Sequence, residues 1–454
     1  MAHSVASETA DRGSALYVYL SAVVAATSGL LFGFDIAVIN GAIIYLREQL
    51  HLTEVQTEVA ASALLFGCIF GASAAGWLSD RFGRRRVLMI SAVLFAVSAF
   101  GAALPRTLEE FIVARFIGGL AIGAASVLAP LYIAEVAPAR NRGQLVAMNQ
   151  MAIVSGILLA YLVNWGLSFV GAAGWRWMFG AAAAPSIAFF VALFFVPESP
   201  RWLVENSRSA EALAVLTKVN GASTGARELR QIEDAVAVET GSMAELLQPG
   251  LRRPFWIAVS LAILQQVTGI NTVLFYGSVI FKEQVGSHSE SSAIFANVIV
   301  GLVNFLVTIV AMGVIDRLGR RFLLMFSSGV MALCQVALGA AFLLHPPPSW
   351  LVLTAMLFCV AAFAIGLGPG FWVLLAEIFP TRIRGRAMSI ATICLWGACT
   401  LLTMTFLTLV NLMSATGAFS IYAGMCVLTF FIVWRWVPET KGRSLEEIER
   451  SWGR

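Results

Sequence analysis

Apolar runs of about twenty residues, the length that crosses a hydrocarbon layer as a helix, recur twelve times along this chain. They lie near residues 17–44, 58–79, 87–105, 109–134, 144–170 and 176–196, and again near 254–281, 291–315, 322–344, 350–376, 387–412 and 417–437. Inside a bilayer every backbone N–H and C=O must find its partner within the protein, so runs of this kind are read as helices. Composition agrees: 59% of residues are hydrophobic and 12% charged, against about 45–50% and about 25% in water-soluble domains. The expected fold class is an all-α membrane protein of twelve transmembrane helices. The first run is longer than the apolar core of about 7–15 residues in a secretory leader, so it reads as span 1.

The loops carry an orientation signal. With both termini and the even-numbered loops on one side, that side holds 25 Lys and Arg and the other side 4. The positive-inside rule then places both termini in the cytoplasm. The expected location is the plasma (inner) membrane of a bacterium.

The chain also repeats. GWLSDRFGRRRVLM (76–89) returns as GVIDRLGRRFLLM (313–325), LYIAEVAPARNRG (131–143) as VLLAEIFPTRIRG (373–385), and FFVPESPRW (194–202) as VWRWVPETKGR (433–443). The matched acids, Asp80 and Asp316, Glu135 and Glu377, Glu198 and Glu439, stand 236, 242 and 241 residues apart. Six spans are an even number, so the copies share one orientation and are related by an axis along the membrane normal. The expected organisation is a six-helix lobe over 1–197, a cytoplasmic linker of short amphipathic helices over 198–253, a second lobe over 254–437 and a tail helix over 438–454, opened by a capping box at Ser444.

Several function classes fall away. The six cysteines sit in apolar stretches without a C-x-x-C pair, and the four histidines are isolated from them. They read as buried hydrophobes, so no metal and no cofactor are expected. No Ser/His/Asp set or phosphate-cradling loop appears, so an enzyme is not expected, and the partners are membrane lipid rather than nucleic acid.

Two groups of charges carry chemistry. Asp35 lies in the middle of span 1, where an ionised carboxylate costs about 2.5–3.5 kcal/mol by insertion scales; Arg115, in span 4, is the other charge deep in the first half. Such a pair either locks two helices or switches with a proton. At the cytoplasmic helix ends, Asp80, Arg84 and Arg85 face Glu135 and Arg142, and Asp316, Arg320 and Arg321 face Glu377 and Arg384, with Glu198 and Glu439 alongside. Ion pairs of this kind hold one state of a rocking protein and break in another.

GWLSDRFGRRR, the Arg115-Phe-Ile-Gly-Gly run, PESPRWL, QQVTGIN and PETKGRSLEEIE together resemble the sugar porter family of the major facilitator superfamily over nearly the whole chain. The resemblance implies a twelve-helix, two-lobe carrier that imports a monosaccharide (hexose, pentose or polyol) by alternating access. Asp35 and Arg115 match the proton-coupled members, which implies symport with protons; facilitative members lack that acid. The alternatives are an uncoupled sugar uniporter, a sensor of the same fold, and a drug exporter.

Sugar hydroxyls both donate and accept, which suits amides, and the flat face of a sugar suits aromatic rings. The residues where similar porters hold sugar are Gln150, Gln265, Gln266, Asn271, Asn304 and Trp372. Asn297, Gly301, Asn304 and Thr308 share one face of span 8, and Thr392, Trp396, Thr400 and Thr403 one face of span 11. Gln265 and Asn271 are six residues apart and share no helical face, so span 7 is expected to loosen at Thr268-Gly269. Gly368 and Pro369 in span 10 predict a second interruption. Both are candidate gates, with Phe32, Phe275 and Tyr276 closing the outer side. Ala364 stands where glucose facilitators have Glu, and Leu395 and Cys399 where amides are usual, so one wall of the pocket is more apolar.

Overall fold

A computed structural model describes residues 14–138, 141–238, 243–248, 250–284, 289–379 and 381–441. The tail helix expected over 438–454 lies outside these residues from position 442 onward. The first six spans are helices Ala15–Gln49, Glu54–Phe82, Arg84–Ala103, Leu108–Val136, Arg142–Ser168 and the pair Gly174–Gly180 with Ala183–Ala192. Eleven helical segments among the described residues are long and apolar enough to cross a membrane. The last of these is two spans, because Ser414 at φ 64° and ψ 166° turns the chain within Thr381–Trp436. That gives twelve, in two six-helix lobes.

Local chemistry sets the helix starts. Thr53 and Gln56 form a reciprocal capping box at span 2, and Ser14 and Thr107 accept main-chain N–H groups at the starts of spans 1 and 4. Small residues set the packing within the first lobe. A Cβ on Gly119 would lie 2.0 Å from the carbonyl oxygen of Leu64, so spans 2 and 4 approach to backbone contact only because this position is glycine.

The chain from 198 to 251 includes three short helices, Pro200–Glu205, Ser209–Asn220 and Ala222–Val238. Ser199 caps the first, with Pro200 in its opening turn. Trp202, Leu203 and Ala212 form a small core of their own, and the Trp202 indole donates to the Asp80 carbonyl at 2.8 Å, docking the linker on the arginine-rich end of lobe one.

The lobes are sewn together at the other end. Asn40 of span 1 donates to the Leu274 carbonyl of span 7 at 2.8 Å and accepts the Ser278 N–H at 3.1 Å. Tyr161 of span 5 donates to the same Leu274 carbonyl at 3.1 Å. Glu58 of span 2 accepts the main-chain N–H of Thr408, in span 11, at 2.8 Å and its hydroxyl at 2.7 Å. Among the described residues, the hydrogen bonds between lobes all fall in this half. Gln150 and Met151 of span 5, and Trp372 and Val373 of span 10, are half-buried.

Candidate functional site: a broken-helix amide cluster and a buried ion pair

Span 7 is two helices, Arg252–Val267 and Ile270–Val279, and the residue between them that turns left-handed is Gly269 at φ 84°. A side chain there would be strained at that φ, and its Cβ would fall 2.5 Å from the Tyr422 ring. The sequence spacing predicts this interruption, and it does what six-residue separation on a straight helix forbids. Asn271 folds back so that its amide donates to Gln266, and to the Cys399 thiol at 3.1 Å. Gln266 in turn donates to Gln265 at 3.3 Å, and Gln265 donates to the Leu367 carbonyl at 2.8 Å. Leu367 opens the second half of span 10, itself split at Gly366 into Ser349–Ile365 and Leu367–Glu377, with Gly368 and Pro369 in the first turn. One string of amides therefore runs from the break in span 7 to the break in span 10.

The other sugar candidates stand on other spans and differ in exposure. Gln150 is half-buried on span 5 of the opposite lobe, and Asn304 is buried on span 8. Trp372 is half-buried and packs edge-on against Phe371 at 5.1 Å between centroids. Asn297 is spent on the lobe seam, where it lies 3.4 Å from the Asn40 amide, and the hydroxyls of Thr308, Thr392 and Thr400 turn back onto carbonyls of their own helices. Phe32 reaches across the lobes to Trp396, 5.6 Å between ring centroids, while Phe275 and Tyr276 are fully buried and the Tyr276 hydroxyl donates to the Thr403 carbonyl at 2.9 Å. Trp396 also has a buried indole N–H without a hydrogen-bond partner. An orphaned buried donor is costly, and here it lies on the same helix, three residues before Cys399, which bonds Asn271. Ala364, Leu395 and Cys399 are all buried.

The acid of span 1 is enclosed. Asp35 is 3% exposed, and its carboxylate accepts from Arg115 at 3.3 Å. Arg115 makes a second bond, to the main-chain oxygen of Asp35 at 2.7 Å, and stacks over Phe179 with its guanidinium carbon 5.1 Å from the ring centre. Its Nε is buried without a partner.

At the arginine-rich end each lobe closes on itself. Arg84 forks onto Glu135 at 3.1 and 3.3 Å and reaches Asp80 at 3.2 Å; Arg320 pairs with Glu377 at 2.8 Å. Ser199 and Thr440 donate to Glu135 and Glu377 respectively. Glu198 and Glu439 meet main-chain donors instead of arginine side chains. Glu198 accepts the N–H of Arg85 at 3.1 Å, and Glu439 those of Arg320 and Arg321 at 3.0 and 3.2 Å. Each carboxylate thus caps the positive end of a spanning helix. Gly83 and Gly319, at φ 96° and 92°, leave room: a Cβ would lie 2.3 Å from Glu198 Oε2 or 2.6 Å from Glu439 Oε2. The guanidinium groups of Arg85 and Arg321 bond the carbonyls of Leu193 and Trp434, and Arg384 bonds that of Phe379. Arg142 is exposed, and its charge is felt by Glu228 of the linker, whose carboxyl is held above its usual range by burial and pulled back in part by that arginine. The side chain of Asp316 lies outside the described residues.

A two-lobe bundle of apolar helices with buried polar groups, broken helices beside them and a buried ion pair defines the class: a multi-pass membrane carrier. The chain belongs to the sugar (and other) transporter family, whose model matches residues 21–452. It is 38% identical over 443 residues to the arabinose-proton symporter of Bacillus subtilis (strain 168), covering 96% of this chain and 95% of that one. It is also 38% identical over 474 residues to the D-xylose-proton symporter of Escherichia coli (strain K12), covering 96% of each. A structure of the proton:xylose symporter XylE bound to 6-bromo-6-deoxy-D-glucose superposes with a TM-score of 0.83 at 37% identity, over 96% of this chain and 99% of that one.

Proposed function

We propose that this chain is a secondary active transporter that imports a monosaccharide with protons across a bacterial inner membrane, by alternating access between its two lobes. The observation that carries this reading is the coexistence of the amide string at the span 7 break with the Asp35–Arg115 pair in the other lobe. Relatives named for proton symport of arabinose and xylose support it.

Loop charge sets the direction. The arginine-rich side is cytoplasmic, so the sewn end faces outward and the described state faces inward. Gln265, Gln266 and Asn271, with Gln150, Asn304 and Trp372 around them, offer donors, acceptors and a flat ring to a sugar. The apolar wall of Ala364, Leu395 and Cys399 suits a sugar with few hydroxyls on that side. Phe32, Phe275 and Tyr276 close the outer path, and the breaks at Gly269 and at Gly366 to Pro369 supply the moving ends.

The coupling step needs only one proton acceptor. With Asp35 ionised, its charge holds Arg115 in span 4 against span 1. A proton taken from the outer water removes that charge, weakens the hold, and permits the loaded carrier to turn. Release of the proton inside restores the pair. The Arg84–Glu135 and Arg320–Glu377 pairs, satisfied within their own lobes when the inner ends are parted, are available to re-pair across the seam when those ends close.

The test is uptake of labelled D-xylose, L-arabinose, D-galactose and D-glucose into proteoliposomes, with and without an imposed pH gradient. At least one sugar is expected to accumulate above equilibrium only with the gradient. Asp35→Asn is expected to lose accumulation and keep sugar exchange; gradient-driven accumulation by that variant refutes the coupling role.

A further inference from the structure

A helix broken at membrane depth strands backbone donors and acceptors where there is no water to bond them. In this chain one neighbouring helix bonds both breaks, helped at the first by the Cys426 thiol, which donates to the Thr268 carbonyl at 3.7 Å. Span 9, the helix Arg320–Ala341, buries Ser327 and Gln335 completely. The Gln335 amide donates to the Thr268 carbonyl at 2.9 Å, at the C-terminal end of the first half of span 7. Ser327 Oγ accepts the Leu367 N–H at 3.2 Å, at the start of the second half of span 10. The two side chains are eight residues apart, about 12 Å along the helix.

Both contacts sit one bond away from the sugar candidates. The Leu367 peptide is held at both ends, its N–H by Ser327 and its carbonyl by Gln265. The Thr268-Gly269 turn that returns Asn271 to Gln266 is wedged between Gln335 and Tyr422: a Cβ on Gly269 would meet the Gln335 amide nitrogen at 3.1 Å and the Tyr422 ring at 2.5 Å. Gly366 is pressed as closely, with its Cβ position 2.5 Å from that of Ser327. The second amide atom of Gln335, Oε1, is buried without a partner. A long polar side chain is thus kept in the core although half its bonding capacity is unused. Span 9 itself places no group in the amide string.

We infer that Gln335 and Ser327 are positioning residues for sugar recognition: span 9 is the fixed rail against which the two helix breaks hold Gln265, Gln266 and Asn271 in register. This rests on the sugar-transport reading above. Removing the Gln335 amide leaves the Thr268 carbonyl only the weak Cys426 thiol donor at 3.7 Å, the turn relaxes, and Asn271 drifts from Gln266. Affinity falls although no sugar contact has been deleted.

The test is calorimetric binding of D-xylose, L-arabinose, D-galactose and D-glucose to the purified full chain. For the sugar that wild type binds, Gln335→Met is expected to raise Kd about tenfold, or ~1.4 kcal/mol. Ser327→Ala is expected to raise it about threefold, and Ser327→Thr, which keeps the hydroxyl, to restore it. A simple fold-stabilising role lowers the yield of monodisperse protein but leaves Kd alone, and it combines additively with changes elsewhere. A positioning role through Asn271 does not: Gln335→Met added to Asn271→Ala is expected to bind within about twofold of Asn271→Ala alone. An unchanged Kd in Gln335→Met, or effects that multiply fully in the double variant, overturns the inference while the transport reading stands. If wild type binds none of the four sugars, both fall. Should Gln335→Met fail to fold, the Ser327→Ala and Ser327→Thr pair decides, since equal affinities in the two overturn it.

Discussion

The seam at the end away from the arginines, the outer end on the reading proposed above, turns on one carboxylate, and its removal gives a measurable shift in the resting state. Glu58 is 2% exposed and accepts two bonds from Thr408, across the lobes, at 2.8 and 2.7 Å. When the outer end opens, both groups meet water and lose little. In the closed state, Glu58→Ala leaves the N–H and hydroxyl of the half-buried Thr408 without that acceptor. Truncating a charged hydrogen-bond partner costs about 1.5–3 kcal/mol, and that cost falls on the closed state alone. At ~1.4 kcal/mol per tenfold, the outward-to-inward ratio should rise by about 10- to 150-fold. The assay is electron–electron distance measurement between spin labels at Val55→Cys and Leu412→Cys, which flank the seam from opposite lobes and are 62% and 77% exposed, on a background without the native cysteines. A longer distance is expected to become the main population in Glu58→Ala, with Glu58→Gln intermediate because one acceptor remains. An unchanged distribution in the alanine variant refutes the reasoning, since it would mean that Asn40, Tyr161 and their span 7 partners hold the seam without Glu58.

Two further outcomes follow from geometry already described. Gly83→Ala combines a left-handed backbone with a Cβ 2.3 Å from Glu198 Oε2, so it is expected to cost about 1–3 kcal/mol and to lower the midpoint of a thermal unfolding scan, whereas Arg86→Ala nearby should not. Trp396→Phe removes an indole N–H that has no protein partner, so the Kd for sugar is expected to rise about fivefold, the ~1 kcal/mol net worth of a typical hydrogen bond; equal Kd values would mean that the indole N–H does not address the sugar.

Much of the architecture is legible in the sequence because membrane physics leaves few choices. Twelve apolar runs, the arginine asymmetry and three repeated motifs dictate the spans and the duplication. The interruption at Gly269 is legible for a geometric reason, since Gln265 and Asn271 cannot address one ligand from an unbroken helix. Contacts that depend on a partner far along the chain are not. Glu58 stands at the edge of an apolar run, where an acid reads as the end of a span, and Thr408, its partner, is 350 residues away. Asn40 is hidden the same way, as one polar residue within an apolar stretch. Glu198 and Glu439 read as members of a side-chain salt-bridge network because arginines surround them. Spacing cannot tell a guanidinium from a main-chain N–H, and the carboxylates meet the latter. Gln335 gives no signal at all: a lone amide in span 9 looks like any interhelical hydrogen bond.

The duplication did not stay symmetrical. Span 1, which carries Asp35, and span 4, which carries Arg115, are continuous helices, whereas spans 7 and 10, their counterparts in the second copy, are both cut in two. Of these four counterpart spans, the two in the second copy carry the breaks and the two in the first carry the buried ion pair. On the transport reading proposed above, substitutions beside the severed helices would change which carbohydrate is accepted without touching the ion pair on the uncut spans.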